Sequence, residues 1–353
     1  MKRILPFIAS LMLIVALAGG CAQKPATEET KEPAKTEEPA EKPAEAPAEE
    51  PEKAADPVDL RVLALKGPTA MGMVHFMNEA QAGNLKDNNY QFSIAAKIDE
   101  VAPKLLQGEV DIAAVPANMS SVLFNKTQGK ISVLGINTLG VLYIVEKGES
   151  ISSVKDLQGK TLFASGKGAT PEYVLNYILS RNGLEVGKDV MIEWKSEHAE
   201  CLAALGSAEG AIAMLPQPFV TVAQTKMEGL RSALDLTKEW NDVQPASALI
   251  TGVTVARREF IENNPQAVAA FMEHYKTSVD FVHSSTEEAA QLVGKYDIVP
   301  PPIAAKALPH CNIVWMTGAE MKEKLAGYLA VLHEQNPESV GGALPGDEFY
   351  YDK

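Results

Sequence analysis

The chain has 353 residues, which is enough for two modest α/β lobes, and a formal net charge of −14. This charge argues against nucleic acid or an acidic membrane surface as a partner, because both would repel the protein. The three cysteines, Cys21, Cys201 and Cys311, lack metal-ligand spacing, and the sequence predicts no metal and no cofactor.

The first residues have the pattern of an export signal. A basic start, Met1-Lys2-Arg3, precedes an apolar run from Ile4 to Ala18 that is too short to span a membrane with confidence. Small residues then precede Cys21 at the expected cleavage point. Residues 1–20 resemble a bacterial lipoprotein signal, which implies that Cys21 is lipidated and becomes the mature N-terminus. The alternative is an ordinary secretory signal in which Cys21 is an incidental thiol.

Residues 21–57 have a low-complexity composition. After Cys21 the segment is built mainly from Pro, Ala, Glu and Lys, and it contains no aromatic residue and no aliphatic residue larger than alanine. Such a chain cannot bury enough apolar surface to offset its conformational entropy, so we expect it to be disordered. Repeated proline should keep it extended. It therefore reads as a tether between an anchor and a folded domain.

A strand, a polar loop and a helix then occur in the same order twice. The apolar run Val62–Leu65 leads into Lys66-Gly67-Pro68-Thr69, and the run Thr161–Ala164 leads into Ser165-Gly166 and Lys167-Gly168-Ala169-Thr170. Helical spacing follows each loop. We expect the threonine of the first loop to be a helix N-cap. Backbone N–H groups at such a helix start can hold an anion or a polar ligand head.

The similarity continues further along the chain. The segment Glu100–Lys126 parallels Glu200–Lys226, and each contains a helix, a strand and a proline, Pro116 or Pro216, directly after the strand. Two units on one plan predict two similar α/β lobes that share a cleft. The alternative is that any two α/β halves look somewhat alike.

The other elements complete these lobes. We expect strands at Tyr90–Ile94 and Asp189–Trp194, helices capped by Asp99 and Ser196, and crossings between lobes at Ile131–Leu142 and Pro245–Val253. Three helices should follow, beginning at Asn264-Pro265, at a capping box of Ser285 and Glu288, and at Glu320. The predicted lobe one is 58–142 plus 250–353, and lobe two is 143–249.

Four segments together resemble a known family. They are Val101–Ala114, Val154–Leu162, Gly168–Leu175 and Leu215-Pro216-Gln217-Pro218-Phe219. Their order resembles that in the type II periplasmic binding proteins of ABC importers, and it is most similar to the branch that binds nitrate, taurine, alkanesulfonates and thiamine-pyrimidine precursors. The resemblance implies an α/β fold of two lobes, joined by two hinge crossings, that close on a small solute. It also implies partnership with a permease and an ATPase, and a monomer outside the cytoplasm.

The candidate ligand contacts come from the loops at the expected cleft. They are Lys66, Gly67, Thr69, Ala70 and Met71 in the first loop, Lys167, Gly168 and Thr170 in the second, Asn118, Thr138 and Gln217 at cleft edges, and Glu197 with His198 at a helix start. Each has a plainer alternative: a turn or a cap for the threonines, a solvated charge for the lysines, core packing for Met71, and simple exposure for His198.

Three functions remain open from the sequence. The first is a binding protein that delivers a small polar or anionic organic solute to an ABC permease, without catalytic residues. The second is an enzyme on the same fold, of the pyrimidine-precursor or menaquinone-pathway type, and the third is a receptor that reports ligand occupancy.

Overall fold

A computed structural model describes residues 57–96, 100–207 and 210–352, which lie within the compact unit Ala54–Lys353. In these ranges the strands are β1 (Val58–Leu65), β2 (Asn88–Ala95), β3 (Ile112–Pro116), β4 (Ile131–Leu139), β5 (Leu142–Lys147), β6 (Thr161–Ser165), β7 (Met191–Lys195), β8 (Ile212–Pro216), β9 (Leu230–Asp235), β10 (Ile250–Arg257) and β11 (Ile313–Met316). The predictions for the export signal, the lipidated Cys21 and the tether fall outside the described residues, as does the cap at Asp99.

Helices connect these strands and cover the sheets. They are α1 (Pro68–Met71), α2 (Val74–Gln81), α3 (Val101–Leu106), α4 (Ala117–Lys126), α5 (Thr170–Arg181), α6 (His198–Ser207), α7 (Phe219–Lys226), α8 (Leu236–Val243), α9 (Arg258–Asn263), α10 (Pro265–Ser284), α11 (Thr286–Lys295), α12 (Pro301–Ala307) and α13 (Gly318–Gln335). Short 3₁₀ turns cover Val154–Leu157, Leu308–His310, Pro337–Val340 and Asp347–Phe349.

The strands form two sheets with the same internal order. The first sheet runs β11-β4-β10-β3-β1-β2 and the second runs β7-β6-β8-β5-β9. In each sheet the strand next to one edge strand, β1 or β6, is parallel to both neighbours, and one strand that follows a crossing, β10 or β5, is antiparallel to both of its neighbours. The fold therefore repeats its plan, and the α/β class predicted from sequence is confirmed.

The register shows the repeat at the level of single residues. In the first sheet Val62 pairs with Ile112, and in the second sheet Leu162 pairs with Ile212, each one hundred residues further along. Thr170 of the second loop lies one residue beyond the position that the same spacing from Thr69 would give, because the second loop has one more residue before its threonine.

The alternation of β1 explains how the first sheet is covered on both faces. Leu60, Val62 and Ala64 pack into one apolar cluster with α2, α10, α11 and α12, while Leu63 packs into another that contains side chains of α3, α4 and α13. Successive side chains of a strand point to opposite faces, so the consecutive apolar residues Val62–Leu65 place apolar side chains on both faces of the sheet.

Each sheet also holds a buried carboxylate. The carboxylate of Asp111, beside β3, accepts hydrogen bonds from Arg61 Nη2 at 2.8 Å and Arg257 Nη2 at 2.7 Å, which joins β1, β3 and β10. In the second sheet Glu146 of β5 pairs with Arg231 of β9. A buried carboxylate that is paired in this way avoids the cost of an isolated charge.

Several local predictions are wrong. Helix α1 begins at Pro68 after Gly67, and the hydroxyl of Thr69 donates to Leu65 O at 2.7 Å, so Thr69 is not the N-cap. Ile131–Leu142 is mostly strand β4, and the first crossing is only Gly140 and Val141. Ser285 precedes α11, but its side chain makes no capping hydrogen bond.

The positions of two predicted helices in the last hundred residues are confirmed. The helix expected after Asn264 is α10, and the one expected to begin at Glu320 is α13, which begins at Gly318. The apolar stripes made these predictions reliable, because a helix that covers a sheet needs an apolar face.

Candidate ligand-binding cleft

Both sheets have a topological switch point, where the strand order reverses and successive connections run to opposite sides of one strand. In the first sheet that strand is β1, and the two loops at the switch point follow β1 and β3; in the second sheet it is β6, and the loops follow β6 and β8. Open α/β sheets bind ligands at the carboxyl ends of strands at such points. The loops predicted from the sequence repeat are these four loops.

The first loop lies against the second crossing. Gly67 has φ 130°, a conformation that favours glycine, and it directs the chain from β1 into α1. Thr69 is 6% exposed, and a Cβ placed on Gly252 would lie 2.5 Å from Thr69 Cγ2 and 2.6 Å from Asn137 Oδ1. Only a residue without a side chain fits at Gly252, so the start of β10 approaches the first loop closely.

A chain of buried hydrogen bonds lies beside this contact. Thr138 Oγ1 donates to Asn137 Oδ1 at 2.9 Å, and Asn137 Nδ2 donates to Thr254 Oγ1 at 3.0 Å. All three residues are at most 1% exposed. Thr138 was predicted as a site residue, whereas the sequence did not indicate its partners in these hydrogen bonds, Asn137 and Thr254, because only pairing of β4 with β10 brings them together.

The second loop bonds to the first lobe. Thr170 Oγ1 donates to Asn118 Oδ1 at 3.2 Å, which joins α5 of the second sheet to α4 of the first. Asn118 Nδ2 also donates to Ser339 O at 3.1 Å. The structure therefore brings together two predicted site residues from opposite lobes.

The backbone amide of Gly168 is already paired. Its N–H donates to Glu172 Oε2 at 2.5 Å, within the same loop and helix, so this amide is not free for a ligand in this conformation. Gly168 has φ 76°, which again favours glycine. Lys167 beside it is exposed.

The lysine of the first loop also has a partner. Lys66 Nζ lies 3.2 Å from Asp297 Oδ2, in an exposed ion pair. Such a pair contributes little to stability, and it competes with an anionic ligand for the ammonium group.

Two predicted contacts lie in the core of the first lobe. Ala70 and Met71 are both fully buried, and Met71 Sδ lies 4.0 Å from the thiol of Cys311. Burial raises the pKa of Cys311 to about 12, so that thiol stays protonated. This places Met71 in its alternative role, core packing, in the conformation described.

His198 is held by a residue that sequence reasoning missed. Its Nδ1 lies 2.6 Å from the hydroxyl of Ser165, the last residue of β6, and its ring centroid lies 4.9 Å from that of Phe219. Burial lowers the pKa of His198, although the neighbouring Glu197 carboxylate raises it in part. Glu197 itself is exposed. Ser196 was predicted to cap this helix. In the structure its backbone N–H donates a hydrogen bond to Glu200 Oε2 at 3.0 Å.

Gln217 completes the switch point of the second sheet. It is 3% exposed, its Oε1 accepts from Thr221 Oγ1 at 2.8 Å, and its N–H donates to Val141 O at 2.9 Å in the first crossing. The loop after β8 is thereby fixed to the connection between the lobes.

Direct contacts join the lobes in this conformation. Besides the bond between Thr170 and Asn118, Asn336 Nδ2 donates to Tyr173 OH at 3.0 Å, and Tyr143 OH donates to His310 O at 3.1 Å. Grooves of about 840 and 700 Å³ lie elsewhere, on the first lobe and away from the four loops.

Among the residues that the structure describes, no group of three or more His, Cys, Asp or Glu side chains is arranged to hold a metal ion. In the same part of the chain, no helix combines the length and the apolar character needed to cross a membrane. Cys201 and Cys311 are both buried and free.

Comparison with known proteins agrees with this geometry. Residues 131–289 match the family model described as "NMT1/THI5 like". No curated protein matches the sequence.

Solved structures share the fold over most of the chain. An ABC transporter structure from Parabacteroides distasonis is 23% identical with a TM-score of 0.70, covering 83% of this chain and 99% of its own. The periplasmic aliphatic sulphonate binding protein SsuA from Escherichia coli is 19% identical with a TM-score of 0.62, covering 83% and 96%. The zinc-bound ligand binding component of an ABC-type import system from Staphylococcus aureus is 14% identical with a TM-score of 0.61, covering 83% and 96%.

The protein thus has the two-lobe fold of the type II periplasmic binding proteins, as the sequence resemblance implied. These likenesses establish the fold of this chain, and the family-model match covers residues 131–289 within it.

Proposed function

We propose that this protein is an extracytoplasmic solute-binding protein that captures a small polar or anionic organic solute between its two lobes and delivers it to an ABC permease. The observation that carries the proposal is a contact between the two switch points: Thr170, which follows β6, bonds to Asn118, which follows β3, across the lobes. Ligand contacts from Lys66, Gly67, Thr69, Thr138, Lys167, Gly168, Glu197, His198 and Gln217 belong to this proposal.

The proposal includes the route by which the domain reaches its partner. Cys21 would carry a lipid anchor, and residues 21–57 would act as a tether to the domain that begins at 58. Mass spectrometry of the membrane fraction, comparing the protein with its Cys21→Ser variant, tests this part. A soluble, unmodified wild-type N-terminus would contradict the anchor without touching the solute-binding role.

A thermal-shift screen tests the binding role. A solute present at a hundred times its dissociation constant stabilises the folded state by about 2.7 kcal/mol. We expect stabilisation by at least one solute among carboxylates, sulfonates, nucleobase-like heterocycles and amino acids. Unchanged melting with all of them would refute the proposal.

The chain offers a matched pair of variants for the control. Asn118 and Asn125 both lie on α4, and each donates from Nδ2 to a backbone carbonyl near the C-terminus, at 3.1 Å to Ser339 O and at 2.9 Å to Val340 O. Only Asn118 also bonds to the second lobe. Asn118→Ala should change the solute-dependent shift, whereas Asn125→Ala should lower basal stability and leave that shift unchanged.

An enzyme on the same fold is the second candidate, because "NMT1/THI5 like" does not separate binding proteins from enzymes, and because Ser165 and His198 form a short hydrogen bond. The enzyme would be favoured if a solute found in the screen is converted by the wild type and this turnover is abolished in His198→Ala. A solute that is recovered unchanged would favour binding. A receptor role would be indicated by a solute-dependent complex with a sensor protein in place of a permease.

A further inference from the structure

Three elements of the second lobe bring Ser165, His198 and Phe219 to one edge of its sheet. Ser165 ends β6, His198 begins α6 after β7, and Phe219 begins α7 after β8. These three strands are parallel, so their carboxyl ends lie together. This is the edge at which open α/β sheets bind ligands.

The direction of the bond between Ser165 and His198 follows from the surroundings of the hydroxyl. Ser165 is 3% exposed, and its hydroxyl lies beside the buried thiol of Cys201. Burial raises the pKa of that thiol, so it stays protonated. An imidazole nitrogen accepts a hydrogen bond far better than a thiol sulfur does. With the hydroxyl as donor to Nδ1, at 2.6 Å, the ring proton resides on Nε2.

The other edge of the ring remains available. Within the described residues, His198 Nε2 makes no hydrogen bond, and it is not among the polar atoms buried without a partner, so it reaches solvent. The Phe219 ring lies beside the imidazole at an interplanar angle of 52° and supplies an apolar wall. The two residues together offer one N–H donor next to an aromatic surface.

We propose that Ser165 is a positioning residue that holds His198 as the Nε2–H tautomer, and that this N–H binds an acceptor oxygen of the solute. The inference rests on the proposed function and narrows the solute to one with a carboxylate, sulfonate or carbonyl oxygen at this end. An ammonium group, which has donors only, is disfavoured at the same position.

Long-range ¹H–¹⁵N correlation spectra of the histidine side chains test the tautomer on the protein without solute. The His198 signals are assigned by their loss in His198→Gln. We expect protonated Nε2 in the wild type and in Ser165→Thr, which retains the hydroxyl, and a mixture of tautomers in Ser165→Ala. A wild-type ring protonated on Nδ1, or a tautomer unchanged in Ser165→Ala, would overturn the inference.

A second buried serine provides the control. The hydroxyl of Ser278 accepts a hydrogen bond from the Phe76 N–H at 3.1 Å, in the first lobe. Ser278→Ala removes a buried hydroxyl that is far along the chain from His198, and we expect it to leave the His198 signals unchanged. This separates a local effect on the ring from a general loss of stability.

Titration with acetate, methanesulfonate and methylammonium at equal concentrations tests the donor role. The Nε2 resonance should shift with the two anions and stay in place with methylammonium, and Ser165→Ala should lower the anion affinity about fivefold to tenfold, as expected for one hydrogen bond. Equal responses to all three probes, or no response to the anions, would overturn the role of His198. If no solute in the thermal-shift screen stabilises the protein while the spectra show the Nε2–H tautomer, the proposed function is refuted and the role of Ser165 is not.

Discussion

Gly140 is the point at which the two crossings between the lobes touch, and its replacement by alanine should destabilise the protein. A Cβ at Gly140 would lie 2.6 Å from Leu249 Cδ2 and 2.8 Å from Leu249 Cγ, and it would also collide with Thr237 Oγ1. Leu249 is 1% exposed, so it has little room to move. The backbone is held as well, since Gly140 O accepts from Asn312 Nδ2 at 2.5 Å.

Overpacking of this kind costs about 1–3 kcal/mol. In a folded unit of this size each kcal/mol lowers the melting temperature by about 1.5–2 °C. Differential scanning calorimetry of Gly140→Ala against the wild type, with and without a solute found by the screen, measures both stability and the ability of the lobes to close. We expect a lower melting temperature and a smaller solute-dependent shift.

Gly206→Ala is the matched control. Gly206 lies near the end of α6 and is exposed, and its added Cβ would meet only Met227 Cε, at 3.3 Å. Alanine in a helix is favoured over glycine by about 0.5–1 kcal/mol, so this variant should be as stable as the wild type or more so. A Gly140→Ala variant with the same melting temperature as the wild type would show that the two crossings are not packed as described.

Three further predictions follow from buried contacts. Asp111→Asn should cost about 1.5–3 kcal/mol, because Asp111 accepts charged hydrogen bonds from two arginines. Burial raises the pKa of Asp111, but the hydrogen bonds from the two arginines lower it below its usual value. The stability that the ionised carboxylate contributes is therefore present above about pH 4 and is lost as the pH falls further. Urea unfolding should show that the stability difference between the wild type and Asp111→Asn shrinks below that pH. Asn118→Ala and Thr170→Val in a double-mutant cycle should show a coupling of about 0.5–1.5 kcal/mol, and strict additivity would mean that the lobes do not touch there. Trp240→Ala should cost about 3–5 kcal/mol by urea unfolding, because Trp240 is fully buried; a cost below 1 kcal/mol would contradict that packing.

The repeat was readable from the sequence because each unit uses the same apolar strands and the same loop residues. Val62–Leu65 and Thr161–Ala164 lie in strands β1 and β6, and their sequence patterns can be recognised without knowledge of the neighbouring strands. Loop glycines such as Gly67 and Gly168 mark positions with positive φ, a local requirement that only glycine meets cheaply.

The crossing at Gly140 was not readable in the same way. The run Ile131–Leu139 is apolar enough for either a connection or a strand, and pairing with β10 made it strand β4. A strand shares its hydrogen bonds with a partner elsewhere in the chain, so its identity depends on that partner.

By itself the sequence determined the α/β class, the two similar units and the loops that carry the cleft, because periodicity and glycine placement act within a few residues. Only the tertiary structure decided which side chains meet: Thr170 with Asn118, and Ser165 with His198. Hydrogen bonds of this kind depend on positions to within a few tenths of an ångström, across 52 and 33 residues of chain, and no local pattern fixes such distances.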